Sequence, residues 1–303
     1  MHMHIFGPGY TAGRIAAALR RRGWRVSATR RRTEDGDSAF DDTAAVEAAI
    51  GSATHLLSSV PPEGYGDPVL ARYGAIIAGA PLAWCGYISS TGVYGDTGGA
   101  WVDESAPIGG GRRSARVEAD SAWAALRPDV RVFRLPGIYG PGRSALDRVR
   151  EGKAHRIDLA GQVFSRVHVD DIVSGVLAAI DRGPAGIYNL ADDRPASQNA
   201  VIEAACDLVG MAPPPLLALD DAGLSPAARG FYSENRRVAN GKARRLLGWA
   251  PRYPDYRAGL RALNAITSPN SVSAPPAAAS HVQRYPSNRV DSAIAKSGIS
   301  TLE

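Results

Sequence analysis

The sequence predicts an α/β protein: a doubly wound parallel sheet with a smaller C-terminal lobe interleaved with it. Three observations carry this reading. The chain opens as strand, glycine turn, helix and strand between His4 and Arg32. Short apolar strands then alternate with helices as far as residue 142. From about residue 143 the alternation loosens, and from residue 267 large apolar side chains become scarce. The organisation that follows is a sheet domain over 1–142, a lobe over 143–266 and a tail over 267–303. The tail, rich in Ser, Pro, Ala and Asn, is expected to be disordered, because it has little apolar surface to offset chain entropy.

The first unit is the most informative. His4-Ile5-Phe6 reads as a strand running into Gly7-Pro8-Gly9-Tyr10-Thr11-Ala12-Gly13. Gly7 permits a sharp turn, and Gly9, lacking a Cβ, lets the backbone approach an anion. Ala12 is small enough for close helix–strand packing. Set between an apolar strand and an amphipathic helix (Ile15, Ala16, Leu19), this pattern seats a dinucleotide pyrophosphate on a helix N-terminus, beside Tyr10 and Thr11. A glycine turn with no ligand is the other account. The second strand ends in Thr29-Arg30-Arg31-Arg32, where NAD binders place an acid for the ribose 2′-hydroxyl. A carboxylate would repel a 2′-phosphate, whereas guanidinium forks pair with it. Thr29, Arg30 and Arg31 therefore favour NADP, with NAD the alternative. A solvated basic loop is the plainer account, since Arg is abundant throughout.

Further along, Ser38-Ala39-Phe40-Asp41 reads as a third strand and 43–50 as a helix capped near Asp42 or Thr43. Residues 54–60 form a fourth strand stopped by Pro61-Pro62. Ligands of open parallel sheets bind outside the carboxyl ends of the strands. Asp41, Ser59, Val60 and Pro61 should thus flank the adenosine half of a cofactor. A helix over 68–79 leads to a fifth strand, 83–89, tipped by Ser89-Ser90-Thr91-Gly92-Val93-Tyr94-Gly95. Asp103 and Glu104 read as solvated acids on a loop before a helix over 112–126. The sixth strand, 130–135, ends at Pro136-Gly137-Ile138-Tyr139-Gly140-Pro141-Gly142. In the lobe, Asp170-Asp171 reads as the cap of a helix over 172–180, with a further strand over 186–190.

Bulk composition narrows the function classes. The 303 residues carry a net charge of +5, but acids and bases are interspersed. The Arg runs lack interleaved stacking aromatics, so nucleic-acid binding is not expected. Cys85 and Cys206 sit in no metal spacing and read as buried thiols of a reducing compartment, and no metal site is expected. His2 and His4 read as strand-edge residues. With no signal peptide and no apolar run approaching ~18 residues, no membrane association and a cytoplasmic location are expected.

Four stretches together resemble the extended and atypical short-chain dehydrogenase/reductase superfamily, related to nucleotide-sugar epimerases and dehydratases. They are the Gly7–Gly13 turn, Ser89-Ser90-Thr91-Gly92-Val93-Tyr94-Gly95, the segment Arg134 to Gly142, and Val167-His168-Val169-Asp170-Asp171-Ile172. The likeness covers roughly 3–265. It implies an NAD(P)-binding Rossmann domain, a small-molecule substrate and a homodimer formed through a helix pair. It also implies that Ser90 orients a substrate oxygen, that Pro136, Gly137 and Ile138 meet the nicotinamide through backbone, and that His168 braces the lobe.

Two departures stand out. The superfamily's Tyr general acid/base and the Lys four residues later are replaced by Arg112 and Arg116, with Asp120 following, and no Tyr-x-x-x-Lys occurs anywhere in the sequence. Arg116 can hold a ribose or stabilise negative charge but cannot relay a proton. Tyr94, four residues after Ser90, is the substitute acid/base candidate, Tyr139 a lesser one, and either can instead be a packing aromatic. Secondly, Phe164 stands where related epimerases carry a diphosphate-gripping Arg, and Arg166 lies two residues on, roughly 7 Å along a strand. The sequence thus points to an NADP-dependent oxidoreductase or epimerase-like enzyme with Ser90, Tyr94 and Arg116 as catalytic candidates. A non-catalytic NADP-binding sensor or partner-docking protein is the alternative. An assembly subunit without cofactor would leave the glycine turn unexplained.

Overall fold

The computed structural model describes residues 1–31, 36–64, 66–111 and 114–267. Arg32, Arg112 and the tail beyond Thr267 lie outside the described residues. The strands are β1 His2–Phe6, β2 Arg25–Arg30, β3 Ser38–Ala39, β4 His55–Ser58, β5 Trp84–Ser90, β6 Trp101–Val102, β7 Val130–Leu135, β8 Gly137–Tyr139, β9 Arg156–Ile157, β10 Arg166–His168, β11 Gly186–Asn189, β12 Leu216–Leu217 and β13 Arg237–Val238. The helices are α1 Tyr10–Arg21, α2 Thr43–Ser52, α3 Pro68–Gly79, α4 Ser114–Leu126, α5 Ala145–Arg150, α6 Val169–Arg182, α7 Gln198–Val209, α8 Pro226–Arg229, α9 Gly241–Leu247 and α10 Tyr256–Thr267.

Seven parallel strands make one sheet in the order β11-β7-β5-β4-β1-β2-β3. The chain works outward from β1 to β3, then crosses back to β4 on the other side of β1. That reversal leaves a crevice at the carboxyl ends of β1 and β4, where open α/β sheets bind ligands. The register aligns Phe6 with Thr29 and with Ser58, so the turns after β1, β2 and β4 share one edge of the sheet.

Helices cover both faces. On one, Ile15, Ala16 and Leu19 of α1 and Ile172 and Val176 of α6 pack with Met3, Ile5, Trp84 and Phe133. On the other, Val46 and Ile50 of α2, Val69 and Ile77 of α3 and Trp123 of α4 pack with Phe6, Cys85 and Tyr87. Asp67 starts α3 by accepting from Val69 N and Leu70 N at 2.9 and 3.0 Å, ahead of Pro68 at the first helical position. Its other oxygen accepts from Trp123 Nε1 at 2.9 Å, tying α3 to α4. A further apolar cluster joins α5, α7 and α10 around Leu146, Ile202 and Leu260. Both cysteines are free and buried.

Several local expectations are corrected. The β1 strand lies inside the sheet, not at its edge, so His2 and His4 are buried. His4 pairs with Ser27 Oγ at 2.9 Å and Thr29 Oγ1 at 3.1 Å, and burial, with His2 beside it, holds its pKa down at about 4. The strand β3 stops at Ala39, which leaves Asp41 in a turn. The helix expected from residue 172 begins at Val169, because the cap is His168, whose ring accepts from Asp170 N at 3.2 Å. Asp170 and Asp171 instead occupy the first turn, where carboxylates meet the positive end of the helix. Asp171 accepts from Arg252 N and Tyr253 N at 2.7 and 3.1 Å and so fastens the chain ahead of α10. Glu104 is not a solvated acid: its Oε1 accepts from Asn189 N at 2.7 Å.

Candidate functional site

A cleft of about 680 Å³ opens at the carboxyl edge of the sheet, between it and the 143–267 segment. At one end lie Gly7, Gly9, Tyr10, Thr11, Ser59 and Pro61. Gly7 turns at φ +72° and donates to Thr29 O at 3.0 Å. A Cβ built on it would stand 2.9 Å from Val60 Cγ2, so a larger residue has no room. Gly9 precedes α1 without any side-chain cap, and no acid occupies the first turn. The first-turn N–H groups of a helix have no intrahelical partner. Here they face the cleft with the helix dipole behind them, which suits an anion such as a pyrophosphate. Ala12 is fully buried and lets α1 lie close on the sheet.

The other residues expected at this end divide. Thr29 is buried, its hydroxyl committed to His4. Val60 fills the space behind Gly7. Arg30 forms an ion pair with Asp37, and Arg31 with Glu63. Asp41 is not in the cleft wall; its largely exposed carboxylate accepts from Arg72 Nη1 at 2.6 Å. The turn after β3 points it at α3 and away from the crevice.

The middle of the cleft is lined by Ser89, Ser90, Thr91 and Arg116 on one wall and Leu135, Pro136, Gly137 and Ile138 on the other. Ser90 Oγ accepts from Gly92 N at 3.1 Å, capping the 3₁₀ turn Thr91–Tyr94, and this leaves its own O–H free to donate into the cleft. Arg116 is half-buried and has no hydrogen-bond or ion-pair partner among the described residues.

Tyr94 does not join them, which corrects its expected place at the crevice. The 3₁₀ turn swings it behind β5, where it is 3% exposed. Its hydroxyl donates to Asn189 Oδ1 at 2.8 Å and accepts from Arg134 Nη1 at 3.1 Å. Burial pushes its pKa up, against the pull of Arg134. Tyr139 is likewise buried, and burial with nearby Asp192 and Asp171 raises its pKa. Behind the wall, Ser89 Oγ donates to Asp120 Oδ2 at 2.5 Å, and Asp120 is held by Arg134 in the core.

Sequence reasoning missed Arg143, whose guanidinium lies 5.7 Å from the Tyr10 ring centroid, and the residues that build the far end: Arg148, His155, Phe231, Tyr232 and Arg236. They come from two stretches far apart in the sequence, 143–155 and 231–236, and no spacing announces them. The Arg134–Asp120 pair was legible in principle, since an Arg inside an apolar strand needs a buried acid. Phe164 and Arg166 are also in this wall. Arg166 is spent on structure: Nη1 donates to Phe164 O and Ala196 O, both at 2.9 Å, and Nη2 to Gln198 Oε1 at 3.0 Å. Among the described residues no His, Cys, Asp and Glu group could hold a metal ion, and no helix is long and apolar enough to cross a membrane.

No family model matches the sequence. A solved protein of unknown function from Silicibacter pomeroyi is 42% identical, the match covering 88% of this chain and 98% of that one, with a TM-score of 0.78. The two belong to one family. Human epimerase family protein SDR39U1, solved with NADPH, matches 87% of this chain and 99% of its own at 18% identity and a TM-score of 0.72. At that identity the likeness shows a shared fold, a parallel α/β sheet of the Rossmann type. Among curated proteins, the 3-diazoavenalumate denitrifying reductase of a Streptomyces species is 28% identical over 291 residues, 81% of this chain and 94% of that protein. Ser90 ends β5 and Arg116 stands on α4, both in the cleft wall. Arg112, expected at the place of the Tyr, lies outside the described residues.

Proposed function

We propose that the protein is an NADP-dependent oxidoreductase of the short-chain type that works without the Tyr–Lys pair on a small-molecule substrate. The observation that carries this is the Gly7–Gly9 turn opening an uncapped helix N-terminus into the cleft, with Ser90 and Arg116 farther along the same cleft. The residues present fit the cofactor. The N-terminus of α1 would hold the pyrophosphate, Pro61 and Ser59 would flank the adenosine side, and the Pro136–Ile138 backbone would meet the nicotinamide. When bound, the cofactor supplies or takes up a hydride. Ser90 donates its O–H to a substrate oxygen, and Arg116 stabilises negative charge there or holds ribose hydroxyls. An arginine does not release its proton, so Arg116 cannot serve as the acid. The Streptomyces relative, a reductase, agrees with this class of chemistry.

The preference for NADP rests on β2 ending in Arg30 and Arg31 in place of an acid. The Arg31–Glu63 pair is exposed and contributes about 0–1 kcal/mol, so a 2′-phosphate can displace Glu63 at small cost. Arg30 is paired with the more enclosed Asp37 and would have to offer a second face to the phosphate. A second reading, a non-catalytic NADP-binding protein, is favoured by the burial of Tyr94 and by Arg116 in the Lys position. Titration with NADPH and NADH, read by nicotinamide fluorescence, tests the first claim, and an Arg30→Asp variant tests the selectivity. Selective NADPH binding that collapses in the variant supports the reading; equal binding of both cofactors removes the argument from Arg30. Stereospecific hydride transfer to any carbonyl would dispose of the non-catalytic reading.

A further inference from the structure

At the far end of the cleft a cation with no carboxylate partner among the described residues meets aromatic walls. Arg148 on α5 reaches the cleft beside His155, and the 3₁₀ turn Gly230–Ser233 brings Phe231 and Tyr232 opposite. His155 Nε2 and Tyr232 Oη are hydrogen-bonded at 3.2 Å. Phe164 meets the Tyr232 ring edge-on, with centroids 5.6 Å apart. Phe231 lines the same part of the cleft. Burial lowers the His155 pKa, and nearby Arg148 lowers it further. The same burial raises the Tyr232 pKa, so near neutral pH the imidazole is uncharged and the phenol keeps its proton.

The charges around this end leave Arg148 as its cation. Glu234 is nearby, but its carboxylate accepts from Arg236 Nη1 at 2.9 Å. Arg166 is committed to two carbonyls and Gln198. Arg148 donates to Lys153 O at 3.3 Å and has no carboxylate partner among the described residues. A diphosphate wants several convergent cations, whereas one guanidinium with a phenol oriented by an imidazole matches a single carboxylate.

We propose that this end of the cleft is a subsite for an aromatic carboxylate, with Arg148 and the Tyr232 hydroxyl, oriented by His155, holding the carboxylate and Phe164 and Phe231 flanking the ring. The subsite rests on the oxidoreductase reading, because it names the substrate class presented to the Ser90 end of the same cleft. The approach of a planar acid along the aromatic walls orients its far end towards Ser90 and Arg116.

The test is calorimetric titration of the full chain, with and without saturating NADPH, using cinnamate, cinnamamide and UDP-glucose as probes. Cinnamate and its amide share ring and shape and differ in charge. Binding of cinnamate about tenfold or more tighter than cinnamamide is expected, as for loss of a charge-assisted hydrogen bond. Arg148→Gln should abolish that difference while leaving NADPH affinity and thermal unfolding unchanged. Phe231→Ala should weaken both aromatic probes alike. Equal affinity for cinnamate and cinnamamide, no cinnamate binding at all, or preference for UDP-glucose would overturn the subsite. Charge-selective cinnamate binding in a protein that does not take up NADPH would uphold the subsite and sink the cofactor reading instead.

Discussion

Arg134 grips Asp120 at two points inside the core: Nη2 donates to Oδ1 at 2.6 Å and Nε to Oδ2 at 3.1 Å, with both side chains almost wholly enclosed. The pair joins β7 to α4, and through Ser89 it reaches the strand whose next residue is Ser90. Removing one partner strands the other charge in a dry interior, which costs about 3–5 kcal/mol, whereas replacing both by apolar residues of similar volume is often close to neutral. Asp120→Ala should therefore destabilise by about 3–5 kcal/mol in urea unfolding, and Asp120→Leu with Arg134→Met by clearly less. A single variant no worse than the double would show that the pair is not an isolated buried ion pair.

Tyr94 completes the same network from the other side. Because its hydroxyl is buried between Arg134 and Asn189, Tyr94→Phe leaves two polar groups short of a partner, at a cost of about 1–3 kcal/mol. NADPH affinity should not change, since Tyr94 does not line the cleft. A variant of unchanged stability that lost turnover at saturating cofactor would return Tyr94 to the chemistry.

Gly7 is constrained twice, by its positive φ and by Val60 Cγ2, which an added Cβ would approach to 2.9 Å. Gly7→Ala should shift the turn that aims the N-terminus of α1. The strain is of order 1–3 kcal/mol, equivalent to roughly a 5- to 150-fold loss of NADPH affinity where cofactor binding requires the native turn. Gly7→Ala with Val60→Ala relieves the contact but not the φ, so it should recover only part of the loss. Full recovery would mean that sterics alone set the position.

How much of this was legible from residues follows from what each residue's partners are. The turn at Gly7–Gly13 and the capped start of α3 at Asp67-Pro68 are local chemistry, and a local pattern states them in full. Ser90 and Pro136–Ile138 came from the family resemblance, and all of them line the cleft. Tyr94 was misplaced because the rule that strand ends form the crevice fixes where a strand ends and not how the next turn rotates. His168 as a cap, with Asp170 and Asp171 inside the helix, went unread because His is a rare cap and acids are common ones. The Arg148, His155 and Tyr232 grouping depends on α5, the 3₁₀ turn and β9 folding against each other, so only tertiary structure reveals it.

His4 gives a stability signature of its own. Burial, with His2 beside it, holds its folded pKa at about 4, below the 6.5 of an exposed imidazole. The unfolded chain therefore binds the extra proton first, and the sign follows: the contribution is fully present above pH 6.5 and is lost as pH falls from 6.5 towards 4. The shift corresponds to a loss of up to about 3 kcal/mol over that window. His4→Gln keeps a polar group facing Ser27 and Thr29 but removes the titration. Its stability relative to wild type should improve steadily as the pH is lowered from 6.5 to 4, whatever the offset at neutral pH. Parallel pH profiles of the two proteins would instead place the titration on other groups, His55 first, since burial also holds its pKa at about 4.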